Sequence, residues 1–74
     1  MPRLVKDLPG AEPVNGFGAP AGPLATLFAG TELRITVPKL RRPSETIEIY
    51  WSEIEVGGQL YRVPRRALET ALAA

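Results

Sequence analysis

Two adjacent glycines, Gly57 and Gly58, constrain this chain more than any other feature. Ahead of them Ile47, Ile49 and Trp51 recur with a strand's period of two, Ile54 and Val56 continue on the opposite parity, and after them Leu60, Tyr61 and Val63 resume a β-favouring run. Both central positions of a type I′ turn need positive φ, which glycine adopts without a Cβ clash. Residues 46–63 are therefore read as a β-hairpin. Its register sets Ile54 opposite Tyr61 and Val56 opposite Gln59, with Glu53 opposite Arg62 and Glu55 opposite Leu60 on the other face. The parity change between Trp51 and Ile54 calls for a bulge or bend near Ser52 and Glu53. Trp51 is expected in the core with Ile47 and Ile49, and Tyr50 outside with Glu48.

A third strand is expected over residues 31–37, where Leu33, Ile35 and Val37 alternate with Glu32, Arg34 and Thr36. Pro38, lacking a backbone donor, is expected to end it. An antiparallel pairing of Val37 with Glu45 would then match Ile35 to Ile47, Leu33 to Ile49 and Arg34 to Glu48. After Val63, Pro64 suits the first turn of a helix, and Leu68, Ala71 and Leu72 form a narrow apolar stripe that could cover the sheet. Residues 9–23 read differently: Pro9, Gly10, Pro13, Gly16, Gly18, Pro20, Gly22 and Pro23 are eight of fifteen positions. Such a composition removes donors and raises the entropy lost on ordering, so a flexible arm without a ladder is expected, relieved only by a local turn at Asn15 and Gly16. Residues 1–8 offer a short strand through Leu4 and Val5 with no evident partner. Residues 24–29 lean towards one helical turn closed by Gly30. The fold class is thus α+β: a small, curled, barrel-like three-stranded antiparallel meander with a short C-terminal helix (residues 24–74), preceded by an irregular Pro/Gly-rich arm (residues 1–23).

At 74 residues there is room for one thin core, and with neither Cys nor His in the chain a disulfide is excluded and the usual metal ligands are missing. The commonest general base and thiol nucleophile are missing too, and Ser44 and Ser52 have no evident activating partner. Glu48, Glu53 and Glu55 read as solvated strand carboxylates rather than as an acid–base pair. No enzymatic activity, cofactor or metal is expected. The G-x-G-x-x-x-G spacing of Gly16, Gly18 and Gly22, with no Lys-Ser/Thr after it, does not make a phosphate loop. Met1, Pro2 and Arg3 are followed by no apolar run of secretory or membrane-spanning length, so a soluble, cytoplasmic protein without a membrane partner is expected.

Nine basic and eight acidic side chains give a net charge of +1, too little for general nucleic-acid attraction, but the charges lie in blocks. Lys39, Arg41 and Arg42 bracket Leu40, which has no core role in this reading; such a loop tip suits docking on an acidic surface. Arg65 and Arg66 oppose the dipole at the helix start and would welcome an anionic partner. Phe17 in the arm and Tyr50 on the outer face of the sheet are the aromatic candidates. In size and layout the chain resembles the small accessory or inhibitor proteins that phages and mobile elements encode to bind a host complex. The leading expectation is a non-enzymatic protein-binding module that uses Phe17, Lys39, Leu40, Arg41, Arg42, Tyr50, Arg65 and Arg66. The alternative is a nucleic-acid-binding module built on the basic loop and exposed aromatics. A homodimer through an exposed sheet edge is a further expectation.

Overall fold

A computed structural model describes residues 1–41 and 50–73 of the chain. The elements in chain order are β1 (Leu8–Val14), β2 (Ala25–Leu27), β3 (Arg34–Leu40), β4 (Trp51–Val56), β5 (Gln59–Pro64) and α1 (Arg65–Leu72). The class is α+β, with one antiparallel sheet and a C-terminal helix. The sheet has five strands rather than three, in the order β2-β1-β5-β4-β3.

The hairpin forms in the register that its glycines impose. Six successive pairs run from Trp51 opposite Pro64 to Val56 opposite Gln59. Gly57 and Gly58 hold φ of 55° and 86° at the turn. Their Cβ positions would meet nothing within 4 Å, so conformation rather than space requires glycine there.

Two expectations about the neighbouring strand are corrected. β3 pairs with Trp51–Val56, in a register other than the expected one: Arg34 lies opposite Glu55, Ile35 opposite Ile54, Val37 opposite Glu53 and Leu40 opposite Trp51. The partners expected at positions 45–49 lie outside the described residues. The irregularities predicted near Ser52 fall instead on β3, between Ile35 and Val37 and between Val37 and Leu40, so β4 runs unbroken and each slip inserts one residue opposite it. This also lets β3 pass through Pro38, whose carbonyl accepts from the Ser52 hydroxyl at 2.7 Å. Because β4 keeps one phase, Ser52 and Ile54 share the buried face, and Trp51 falls with Glu53 and Glu55 on the other, half-buried, instead of in the core.

The larger correction concerns residues 9–23, of which 9–14 do enter a ladder. β1 pairs with β2 (Leu8 opposite Leu27, Ala11 opposite Ala25) and with β5 (Glu12 opposite Arg62, Pro13 opposite Tyr61, Val14 opposite Leu60). An extra residue between Leu8 and Ala11 accommodates Gly10 at φ 76°, a bulge that turns both apolar side chains inward. Residues 25–27, expected as part of a helical turn, form β2 because Leu27 can then bury beside Leu8. Helical hydrogen bonding would leave that face of β1 without a partner.

Leu4, Leu8, Ala11, Leu27, Leu33, Ile54, Val63, Leu68 and Ala71 form the core between sheet and helix. α1 presents Leu68 and Ala71 to it as its stripe predicts, and packs on β4, β5 and β1. The N-terminal segment closes the opposite side. Leu4 donates to Thr31 O (2.9 Å) and accepts from Gly30 N–H (2.8 Å), while the Val5 and Lys6 N–H groups both donate to Ala71 O in the last turn of α1. A helix this short depends on such docking.

Candidate functional site

Phe17 sits at the tip of a loop that the sequence closes on itself. β1 ends at Val14, and Asn15 then engages its side-chain oxygen and both of its backbone groups. Its Oδ1 accepts from the N–H groups of Phe17 (2.8 Å) and Ala19 (3.0 Å), its carbonyl accepts from Gly18 N–H (3.0 Å), and its own N–H donates to Ala19 O (2.9 Å). This is an Asx turn, in which a short amide side chain substitutes for backbone partners. The chain returns beside β1 through a bridge of Val14 with Pro20 and a bond from Ala21 N–H to Pro13 O.

The loop is fastened from below by β5. Arg62 Nη2 donates to Gly18 O at 3.1 Å, and Nη1 lies 3.8 Å from Glu12 Oε1. Gln59 Nε2 donates to Val14 O at 3.0 Å and to Leu60 O at 2.9 Å. Gly18 has φ 78°, and a Cβ there would stand 3.0 Å from Arg62 Nη2, so both conformation and close approach favour glycine. Arg62 Nε is buried without a hydrogen-bond partner among the described residues, which shows how far the loop and β1 enclose the guanidinium. Held this way, the Phe17 side chain is 98% exposed. Burying such a ring against a partner contributes about 1.5–3 kcal/mol. Little of that is lost to ordering a backbone that is already fixed.

The other candidates gather at the opposite end of the sheet. Val14 and Phe17 lie by the Gly57–Gly58 end of β5, whereas Leu40 opposite Trp51 and Trp51 opposite Pro64 mark the far end, about 17 Å away at strand rise. There Lys39 Nζ sits 4.1 Å from the centroid of the Tyr50 ring, a cation–π contact that covers one face of the aromatic. Tyr50 is half-buried, and its carbonyl accepts from Arg65 N–H at 3.1 Å where α1 begins. Leu40 is half-buried on β3, so the apolar residue of the basic cluster is a strand residue rather than a loop tip; Arg41 is exposed and Arg42 lies outside the described residues. Arg65 meets Glu69 one turn on, at 3.2 Å, so part of its charge is answered within the helix. Arg66 is exposed and faces away towards Lys6 and Asp7 across a groove. The structure thus brings Lys39, Leu40, Arg41, Tyr50 and Arg65 to one end and leaves Phe17 at the other.

Asn15, Arg62 and Gln59 were not legible as loop-holding residues. The Asn15-Gly16 pair signalled a turn, but the reach of Arg62 depends on β1 lying beside β5, and nothing in the Pro/Gly-rich composition announces that strand. Among the described residues no helix is long and apolar enough to cross a membrane, and no three Asp or Glu side chains cluster as metal ligands. No protein family, no curated protein and no solved structure matches the chain.

Proposed function

We propose that the chain is a small non-enzymatic protein-binding module, an inhibitor or regulator in type, that docks on a host protein complex through the Phe17 loop. The observation that carries this reading is a large apolar side chain wholly exposed on a backbone fixed by Asn15, Arg62 and Gln59. Exposed aromatics on rigid supports are the usual anchors of protein interfaces. Lys39 and Arg41, at the far end, would act as rim charges that steer association rather than hold it.

The nucleic-acid reading draws on the same cations. Less supports it, because Lys39 already covers one face of Tyr50, the ring that would stack a base. Edge-to-edge dimerisation draws less support still: β3 at the margin carries Pro38 and two register slips, both features that discourage strand addition.

The test compares tagged wild-type chain with Phe17→Ala and Asn15→Ala in parallel purifications. A defined protein retained by wild type should bind Phe17→Ala at least about tenfold more weakly, and Asn15→Ala roughly three- to tenfold more weakly because the ring remains but its support loosens. Equal retention by all three chains would sink the proposal. Tight binding of a single-stranded oligonucleotide would favour the alternative, provided that Arg41→Ala with Arg42→Ala flattens its log-affinity against log-salt slope by about one to two units.

A further inference from the structure

Beside the helix lies a second feature that the Phe17 loop does not use. An open groove of about 500 Å³ runs between residues 6–9 and one face of α1, formed by Arg66, Ala67, Thr70 and Ala71, with Pro64 at its end. Its size falls within the range of binding pockets. The space has a sequence cause: Ala67 and Ala71 stand where larger side chains would fill the helix face, and Pro9 and Pro64 face them with rings that cannot extend and no backbone N–H to offer. Leu8 is buried beneath and completes an apolar floor.

The rim is charged, with two cations to one acid. Lys6 and Arg66 are both exposed, and among the described residues neither has an ion-pair partner. The one acid on the rim, Asp7, has its Oδ1 engaged by Ala29 N–H at 2.8 Å. The carbonyl of Ala71 is likewise occupied, by the N–H groups of Val5 and Lys6. What remains for a ligand is an apolar trough with two cations and one partly engaged carboxylate above it.

We propose that this groove binds an acidic peptide segment of a protein partner, one or two apolar side chains seated between α1 and Pro9 and flanking Asp or Glu carboxylates paired with Lys6 and Arg66. The rim favours that sign: a basic flank would meet two cations, Lys6 and Arg66, against the single carboxylate of Asp7, one of whose oxygens already accepts from Ala29 N–H. The site stands apart from the Phe17 loop by the length of β1, about 20 Å at strand rise, and does not depend on it.

The probe is a fluorescein-labelled synthetic peptide with two adjacent Leu residues flanked on each side by Asp and Glu, titrated into the full chain and followed by anisotropy and by amide chemical shifts. The expected shifts map to Lys6, Ala67, Thr70 and Ala71. Lys6→Glu with Arg66→Glu, both surface changes, should weaken binding at least about tenfold. Thr70→Trp, which fills the trough from an exposed position, should do the same while leaving the charges intact. A peptide with Lys in place of the acids should not bind. Equal affinity for the Lys-flanked peptide, or for the charge-reversed chain, would overturn the proposal, as would shifts confined to the Phe17 loop. Groove shifts produced by raising the protein concentration alone would put a second copy of the chain there and overturn it equally. Phe17→Ala should leave peptide affinity unchanged, which separates failure of this site from failure of the Phe17 loop.

Discussion

β5 and β1 lie side by side in one sheet, yet they are held in it by different means. β5 is tied to β4 through a two-residue turn and six consecutive pairs, so almost everything that positions it is local. β1 pairs with β5 over three residues and with β2 at only two positions, carries Pro9 and Pro13 along its length, and bulges at Gly10. What secures it comes from elsewhere in the chain: Leu8 and Ala11 bury in the core, Gln59 and Arg62 reach across to Val14 and Gly18, and Leu27 packs from a strand of three residues. The difference teaches that a strand poor in ladder bonds can be central if its side chains are buried on one face and its end is clamped. It also explains why the exposed Phe17 is presented from β1 and not from the hairpin: a loop secured by tertiary contacts can take whatever shape the contacts hold.

The sharpest way to break this comparison is Leu8→Ala. If β1 is fixed by burial, removing a side chain that is almost wholly enclosed should cost about 2–5 kcal/mol, a fall of roughly 10–20 °C or more in thermal midpoint for a domain of this size. Ile54→Ala in β4 provides the reference, with a loss in the same range. A Leu8→Ala loss under about 1 kcal/mol beside a several-fold larger Ile54→Ala loss would mean that β1 is an appendage and that the comparison is misdrawn.

The same contrast governs what the sequence discloses. The hairpin register was legible down to individual pairs, because Gly57-Gly58 and the residues beside it carry their reason locally. The helix was legible from Pro64, Leu68 and Ala71 in the same way. β1 was not, since Pro9, Gly10 and Pro13 argue against a ladder on propensity, and only Leu8, Ala11 and Val14, with a bulge between the first two, argue for one. The slips in β3 were foreseen on the wrong strand: a change of parity in the apolar pattern around Trp51 is equally consistent with a bulge in β4 and with Trp51 leaving the core, and the structure takes the second course. Of the site, Phe17 was legible as an aromatic without a core role, while its support was hidden because Arg62 sits more than forty positions away in the chain.

Replacing Gly57 and Gly58 together with Val tests the local half of the comparison. Neither Cβ would clash with neighbouring atoms, so the whole effect comes from forcing β-branched residues to positive φ, with an expected loss of about 1–3 kcal/mol by denaturant titration. Because burial of Leu8 and Ala11 holds β1 in addition to its clamps from Gln59 and Arg62, amide exchange in the Phe17 loop should rise only as far as global stability falls. Selective loosening of that loop in the double variant would show that β1 takes its position from the hairpin after all.

The smallest effect lies at the entry to β1, where Arg3 and Glu32 bridge the N-terminal segment to residues 30–33 and their side chains form an ion pair on the surface. The hydrogen bond from Arg3, and then its charge, hold the Glu32 carboxyl below its ordinary value of 4.5. A carboxylate whose pKa is lower folded than unfolded contributes stability above the unfolded value and loses it as pH falls through the folded one. The difference in midpoint between wild type and Glu32→Gln should therefore be greatest near pH 7 and vanish on acidification to about pH 2, and added salt near neutrality should shrink it because the pair is solvent-exposed. A difference that persists unchanged in acid would show that Glu32 acts through packing rather than charge. The N-terminal segment would then resemble β1, secured by its buried Leu4 and its bonds to Thr31 and Ala71, with the ion pair incidental to it.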